Sequence, residues 1–248
     1  MMTESNKPAA EQPKQAPPKM KPAELAPRLD ATILKPEASS AEVHRVATDA
    51  MQLGCRAVVA APVWTERLAK QVQGSVVRVV STIAVPFGNA KSTVKAIEAT
   101  STIKDGADEI EVMAHLPHIL AIDLDAARAE LLEIARAARA TRKDVVIRVI
   151  VEFELLMEQP DDRREAAVEC ACRAIRESGC DGMLTGTGYH PAGAASAESI
   201  TIIKKYAGEG LKLKAALMDD AESAQGALEV GADLIGSEAA AQVLEALR

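Results

Sequence analysis

Two groups of residues in this 248-residue chain have the types and spacing to do chemistry. The first is Gly182-Met183-Leu184-Thr185-Gly186-Thr187-Gly188-Tyr189, a short apolar stretch that gives way to alternating Gly and Thr. The apolar stretch after Asp181 is too short for a helix, so the run reads as a buried strand entering a loop. Its glycines allow positive φ and close backbone approach to a ligand. A loop of that size fits a phosphate, and it reads also as a plain strand-to-helix turn. The second group is His115 and His118, with Glu152, Glu154 and His190 near other expected strand ends. These side chains are metal-ligand types, but the spacing is that of solvated loop histidines, and the reading adopted is no metal and no cofactor.

The elements that must position these residues alternate regularly. From Leu29 onward, short β-like runs alternate eight times with longer helical patterns, which predicts a single (β/α)8 barrel over residues 28–248. Strands are expected at Leu29–Leu34, Ala57–Ala61, Val77–Ile83, Glu109–Met113, Val145–Val151, from Gly182, at Leu211–Ala215 and at Leu234–Ile235. Ser39 and Glu42 form a capping box for a helix to Leu53. Leu124–Arg139 is the longest amphipathic run, Asp161 is a candidate cap for the helix after strand five, and a last helix is expected from Glu238. Gly106-Ala107-Asp108, Gly179-Cys180-Asp181 and Gly231-Ala232-Asp233 each end a helix and start a strand, the one internal repeat visible. Residues 1–27 are rich in Pro, Lys, Ala, Glu and Gln, lack the apolar core of a signal peptide, and read as a disordered tail.

Composition narrows the function classes. Aromatics make up only 2% of residues, so the core must be built from Ala, Val, Ile and Leu, as where helices cover a parallel sheet. A formal net charge of -7 argues against a nucleic-acid or anionic-membrane surface, and no apolar run is long enough to span a bilayer. Cys55, Cys170, Cys172 and Cys180 read as buried reduced thiols of a cytoplasmic protein.

Several stretches together resemble the deoxyribose-phosphate aldolase family from about Leu29 to the C-terminus. Leu29-Asp30-Ala31-Thr32-Ile33-Leu34-Lys35-Pro36 is similar to the family's opening Asp-His-Thr-Leu-Leu-Lys-Pro, and Gly106-Ala107-Asp108-Glu109-Ile110-Glu111 to its Gly-Ala-Asp-Glu-Ile-Asp. The stretch Gly182 to Tyr189 is similar to the sixth strand, which in the family reads Lys-Thr-Ser-Thr-Gly. The resemblance implies a barrel that cleaves 2-deoxyribose 5-phosphate to glyceraldehyde 3-phosphate and acetaldehyde through a lysine iminium, without metal. By the same resemblance, Lys214 stands at the second lysine, Asp30 at the strand-one aspartate, and Glu111 at the strand-four aspartate with one methylene more. Arg148 replaces a strand-five lysine, and Leu184 replaces the nucleophile. A leucine cannot form an iminium. The implied ligand contacts are Lys35, Arg148, Thr185, Gly186, Thr187, Gly188, Gly236 and Ser237. Where the family offers phosphate-binding backbone N–H groups, this chain has Ala216-Leu217-Met218 and Gly236-Ser237-Glu238. A carboxylate about 4 Å from a phosphate charge, at an effective dielectric near 20, costs roughly 4 kcal/mol.

Read without the family, the same residues have plainer roles: Lys214 a barrel lysine paired with Glu111, Asp30 a local cap, Glu238 a helix N-terminal residue. Three functions stay open. One is a divergent active aldolase using Lys214, and another a barrel enzyme of different reaction type. The third, favoured because several parts of one mechanism are missing together, is a non-catalytic or impaired family member. It would bind a small aldehyde or sugar, and associate as a homo-oligomer or as a structural or regulatory partner of an active relative.

Overall fold

The computed structural model describes residues 20–248, and the expected tail lies outside the described residues up to position 19. Eight parallel strands close into a barrel in sequential order. They are β1 (Leu29–Ile33), β2 (Ala57–Ala60), β3 (Arg78–Ile83), β4 (Glu109–Met113), β5 (Val146–Ile150), β6 (Gly182–Leu184), β7 (Lys212–Ala215) and β8 (Leu234–Ser237). With intervening helices on the outside, this is the TIM-barrel fold. Outward strand residues such as Val58, Ile110, Ile147, Leu213 and Ile235 are buried in the main core under the helices. Inward residues Ala57, Val59 and Val80 fill the barrel interior as a separate small cluster. Among the described residues no helix is long and apolar enough to cross a membrane.

The internal repeat has a structural purpose. Each repeated aspartate makes a two-way clamp with the preceding strand. Asp108 donates its N–H to Val79 O at 2.8 Å while its Oδ2 accepts from Val79 N at 2.8 Å. Asp181 does the same with Ile147, and Asp233 with Leu213. These clamps fix β4, β6 and β8 beside β3, β5 and β7. Gly54-Cys55-Arg56 precedes β2 in the same manner, with Gly54 left-handed at φ 72° and Arg56 N donating to Leu29 O. In that unit an arginine stands where the others have aspartate, and its side chain is free to serve the barrel interior.

Several boundaries differ from the sequence expectation. Pro22–Leu25 and Ala26–Arg28 form short helices that belong to the domain, with Leu25 and Ala26 buried. Low average apolarity over 1–27 hid this anchor, and Met20 N already donates to Gln225 Oε1 at 2.6 Å. Two five-residue helices, Leu116–Leu120 and Phe153–Met157, follow β4 and β5. The helix Asp161–Glu177 is preceded by Pro160 and has no side-chain cap, so Asp161 complements the helix dipole from the first turn instead. The last helix begins at Ala240, leaving Glu238 in the turn before it. The Ser39–Glu42 capping box forms as expected.

Candidate functional site

At the C-terminal ends of the strands lies an open cleft, with Glu111 and Lys214 at its floor. Lys214, on β7, is 1% exposed, and its Nζ lies 2.7 Å from both Glu111 Oε1 and Asp30 Oδ2. Gly236 on β8 makes room for it, since a Cβ there would come within 2.9 Å of Lys214 Cε. Asp30 lies beneath the lysine, fully buried and outside the cleft lining. A fork from Arg56 holds its far side, Nε to Oδ1 and Nη2 to Oδ2, both at 2.6 Å. Burial works to raise the Asp30 carboxyl, but Lys214 and Arg56 overcome it and hold the group below the ordinary aspartate value.

Above this charged floor the walls are apolar. Leu184 packs with Met113, Ile150 and Ala216, and Val85, Leu116 and Leu217 close around them. Leu217 takes a left-handed backbone at φ 63°, and its side chain lies over Gly188, where a Cβ would meet Leu217 Cδ2 at 2.7 Å.

The polar donors around the mouth are satisfied from within. Glu152, just past β5, accepts from both the N–H and the Oγ1 of Thr187, and a Cβ on Gly186 would lie 2.7 Å from its Oε2. Thr185 Oγ1 accepts from Ala216 N at 3.0 Å, and Tyr189 ties the loop down by donating to Leu34 O at 2.7 Å. After β8, Asp219 Oδ1 accepts from Ser237 Oγ and Glu238 N, each at 2.8 Å, and from Ala239 N at 3.3 Å. Desolvation and then the neighbouring Asp219 push the Glu238 carboxyl above its usual value. A second anion at this rim would have to displace one carboxylate and tolerate another.

Of the residues singled out from sequence, the cleft brings together Glu111, Leu184, Gly186, Thr187, Lys214, Gly236 and Ser237. Thr185 and Gly188 support its wall. Two expectations are corrected. Lys35 turns away to pair with Glu42 Oε1 at 3.0 Å on the surface, because the capping box places that carboxylate within its reach. Arg148 points to the opposite end of the barrel, where its Nη1 donates to Glu109. Glu111 is taken by Lys214, so the long arginine finds its buried carboxylate one layer down. His115 and His118 stack edge to face with centroids 4.6 Å apart, and Glu152 is committed to Thr187. Among the described residues no three His, Cys, Asp or Glu side chains converge as a metal site.

Sequence reasoning missed Glu152 as the occupant of the Gly-Thr loop, Asp219 as the occupant of the β8 turn, and Arg56 beneath Asp30. For Arg56 a signal existed: it stands at the aspartate position of the repeated helix-to-strand unit.

No family model matches the chain. Deoxyribose-phosphate aldolase of Mycobacterium avium (strain 104) is 35% identical over 226 residues, spanning 91% of this chain and 97% of that relative. Its counterpart in Mycobacterium tuberculosis (strain ATCC 25618 / H37Rv) is 34% identical over 226 residues, spanning 91% and 96%. Among solved structures, the aldolase QR15 superposes with a TM-score of 0.80 at 28% identity, covering 90% of this chain and 95% of its own. A deoxyribose phosphate aldolase from Aeropyrum pernix, described as tetrameric, gives 0.81 at 28% identity, with 91% and 92% covered.

Proposed function

The chain belongs to the deoxyribose-phosphate aldolase family, and from that premise we propose that it is a member in which lysine-iminium cleavage is lost or impaired. Its cleft binds a small carbonyl or polyol ligand that carries no phosphate. One observation supports this above the others: among the described residues Lys214 is the single lysine lining the cleft, and its Nζ is clamped between Asp30 and Glu111. Iminium formation requires a neutral amine to attack a carbonyl carbon and then expel water. To do so Lys214 would have to leave both ion pairs, and although Asp30 would keep the Arg56 fork, the buried Glu111 carboxylate would lose its cation. Leu184, at the position the family motif gives to the nucleophile, contributes wall surface instead.

The carboxylates of Asp219 and Glu152 already fill the donor sets on either side of the cleft, and Glu238 adds charge at the rim. These features support a preference for neutral ligands. Calorimetry with 2-deoxyribose 5-phosphate is expected to show no micromolar binding, and tight binding would overturn the selectivity.

A second reading, an active aldolase working through Lys214, draws on the same contact. An amine 2.7 Å from the Glu111 carboxylate is also a nucleophile beside a base. Borohydride reduction in the presence of acetaldehyde separates the two. Under the first reading no reduced adduct accumulates and aldol cleavage is absent; a stable adduct on Lys214, missing in Lys214→Ala, establishes the second.

The tetramer of the A. pernix aldolase supports a further element of the proposal, that this chain acts in association, with itself or with a catalytically intact relative. Light scattering after size exclusion, followed by co-purification from the native source, tests it. A strict monomer that recovers no relative and leaves a relative's rate unchanged would remove it.

A further inference from the structure

At the other end of the barrel, the strand starts form a second open mouth whose charge is of opposite character. Arg28, Arg56, Arg78, Arg148 and Lys212 line it, around the buried carboxylate of Glu109. Glu109 serves three guanidiniums at once: Arg56 at 2.8 and 3.0 Å, Arg78 at 2.7 Å, and Arg148. The other two acids of this rim have partners of their own, one of which is the rim cation Lys212. Asp181 accepts from Ile147 N and faces Arg139, while Asp233 accepts from Leu213 N and is shared between Lys204 and Lys212. Among the described residues Arg28 has only carbonyl partners, Ala232 O and Asp233 O.

A purely structural ion-pair network would match its charges. This one leaves an excess of cations converging on one bowl, in a protein whose formal net charge is -7. The excess is pointed inward by Arg148, only 5% exposed, whose buried Nε has no hydrogen-bond partner among the described residues. Buried guanidinium N–H groups are costly to leave unpaired. Planar guanidinium forks match the oxygens of tetrahedral oxyanions, and the exposed ends of Arg78 and Lys212 reach toward the same space.

We propose that the N-terminal mouth is an anion site, selective for a small multivalent oxyanion of the phosphate class, held by Arg78, Arg148 and Lys212. It is distinct from the cleft at the C-terminal ends and independent of what that cleft does.

The test is calorimetric titration of the full chain with inorganic phosphate at low ionic strength, with melting temperature followed in parallel. One site is expected, weakening as salt is added. Because Arg78 also holds Glu109, the variants are Lys212→Ala, at an exposed position, and the Arg78→Ala/Lys212→Ala pair, each checked for native circular dichroism. Lys212→Ala should weaken phosphate several-fold, and the pair by about tenfold or more. Ser237→Ala, at the opposite mouth, should leave the affinity unchanged. Failure of phosphate to bind, undiminished binding in folded Lys212→Ala, or loss of binding in Ser237→Ala would each overturn the assignment.

Discussion

The two mouths of this barrel handle charge in opposite ways. At the C-terminal mouth acids take up the donors: Asp219 collects a hydroxyl and two backbone N–H groups, Glu152 fills the Gly-Thr loop, and Glu238 adds charge at the rim. At the N-terminal mouth donors crowd the acid, with three guanidiniums on Glu109. Between them runs one chain of contacts, Glu111 to Lys214 to Asp30 to Arg56 to Glu109, which ties the floor of the cleft to the opposite opening. A TIM barrel conventionally places ligands at one end and stability at the other. Here the donors at the end that conventionally takes ligands are occupied by the chain's own carboxylates, and the opposite end has cations in excess.

The contrast is broken most severely by Glu109→Ala. Three cations, one of them only 5% exposed, would lose their shared partner, and removing one side of a buried ion pair costs about 3–5 kcal/mol. Urea midpoints should fall accordingly. A loss under 1 kcal/mol would mean that water reaches Arg148 and Arg56 freely, and that the mouth is less buried than its geometry indicates.

Acid separates the rim of the cleft from the buried chain of contacts by sign. Burial tends to raise the Glu109 carboxyl, but Arg56 and Arg148 hold it well below the ordinary range, and Asp30 is likewise lowered. Groups with depressed folded values lend stability above their unfolded values, near 4, and that stability is lost as pH falls toward the folded ones. Glu238 runs the other way: its raised value imposes a cost at neutral pH that disappears as pH falls through it. Melting curves from pH 7 to 3 should therefore show a modest advantage for Glu238→Gln at neutral pH that vanishes in mild acid. Both proteins should then lose stability together below about pH 4. An advantage that persists at pH 3 would contradict the assignment.

Asp219→Ala probes the C-terminal mouth alone. It takes the acceptor from Ser237 Oγ and Glu238 N, while Ala239 N keeps Ser237 Oγ at 3.0 Å; Asp219 and Glu238 are exposed, so water can stand in for the lost carboxylate, and the loss should be about 1 kcal/mol, as for a helix cap. A loss as large as that of Glu109→Ala would erase the contrast between an exposed, replaceable acceptor and a buried one.

Much of this architecture is legible in the sequence because its signals are local. Strand runs, the Ser39–Glu42 box and the Gly-x-Asp units depend on neighbours within a few residues, and the bounds of the strand Glu109–Met113 match expectation. The short helices Leu116–Leu120 and Phe153–Met157 span under two turns and leave no periodicity to read. The site is less legible for a different reason. Strand parity places Arg148 inside the barrel, but a long side chain can reach toward either end, and Glu109, 39 residues away, decides which. Asp219 and Glu152 likewise become donor-blocking groups only when the loops after β7 and β8, or after β5 and β6, meet in space.

The smallest effect is the most discriminating for the cleft wall. Leu217 combines a left-handed backbone with packing against Gly188 and the cluster of Leu184 and Ile150. A non-glycine residue in that region costs about 1–2 kcal/mol. Leu217→Gly removes the strain and also removes the packing of a half-buried side chain, while the glycine gives the unfolded chain more freedom, worth about 0.4–1 kcal/mol. These terms nearly cancel, so Leu217→Gly should shift stability by less than about 1 kcal/mol. Leu217→Ala loses the same packing but keeps the strain, so it should be the less stable of the two, the reverse of the usual ranking of alanine over glycine. Urea midpoints for the pair decide it. Were alanine the more stable, the backbone at 217 would be unstrained, and the leucine would sit there as an ordinary wall residue rather than as one held against its conformational preference to close the cleft over Gly188.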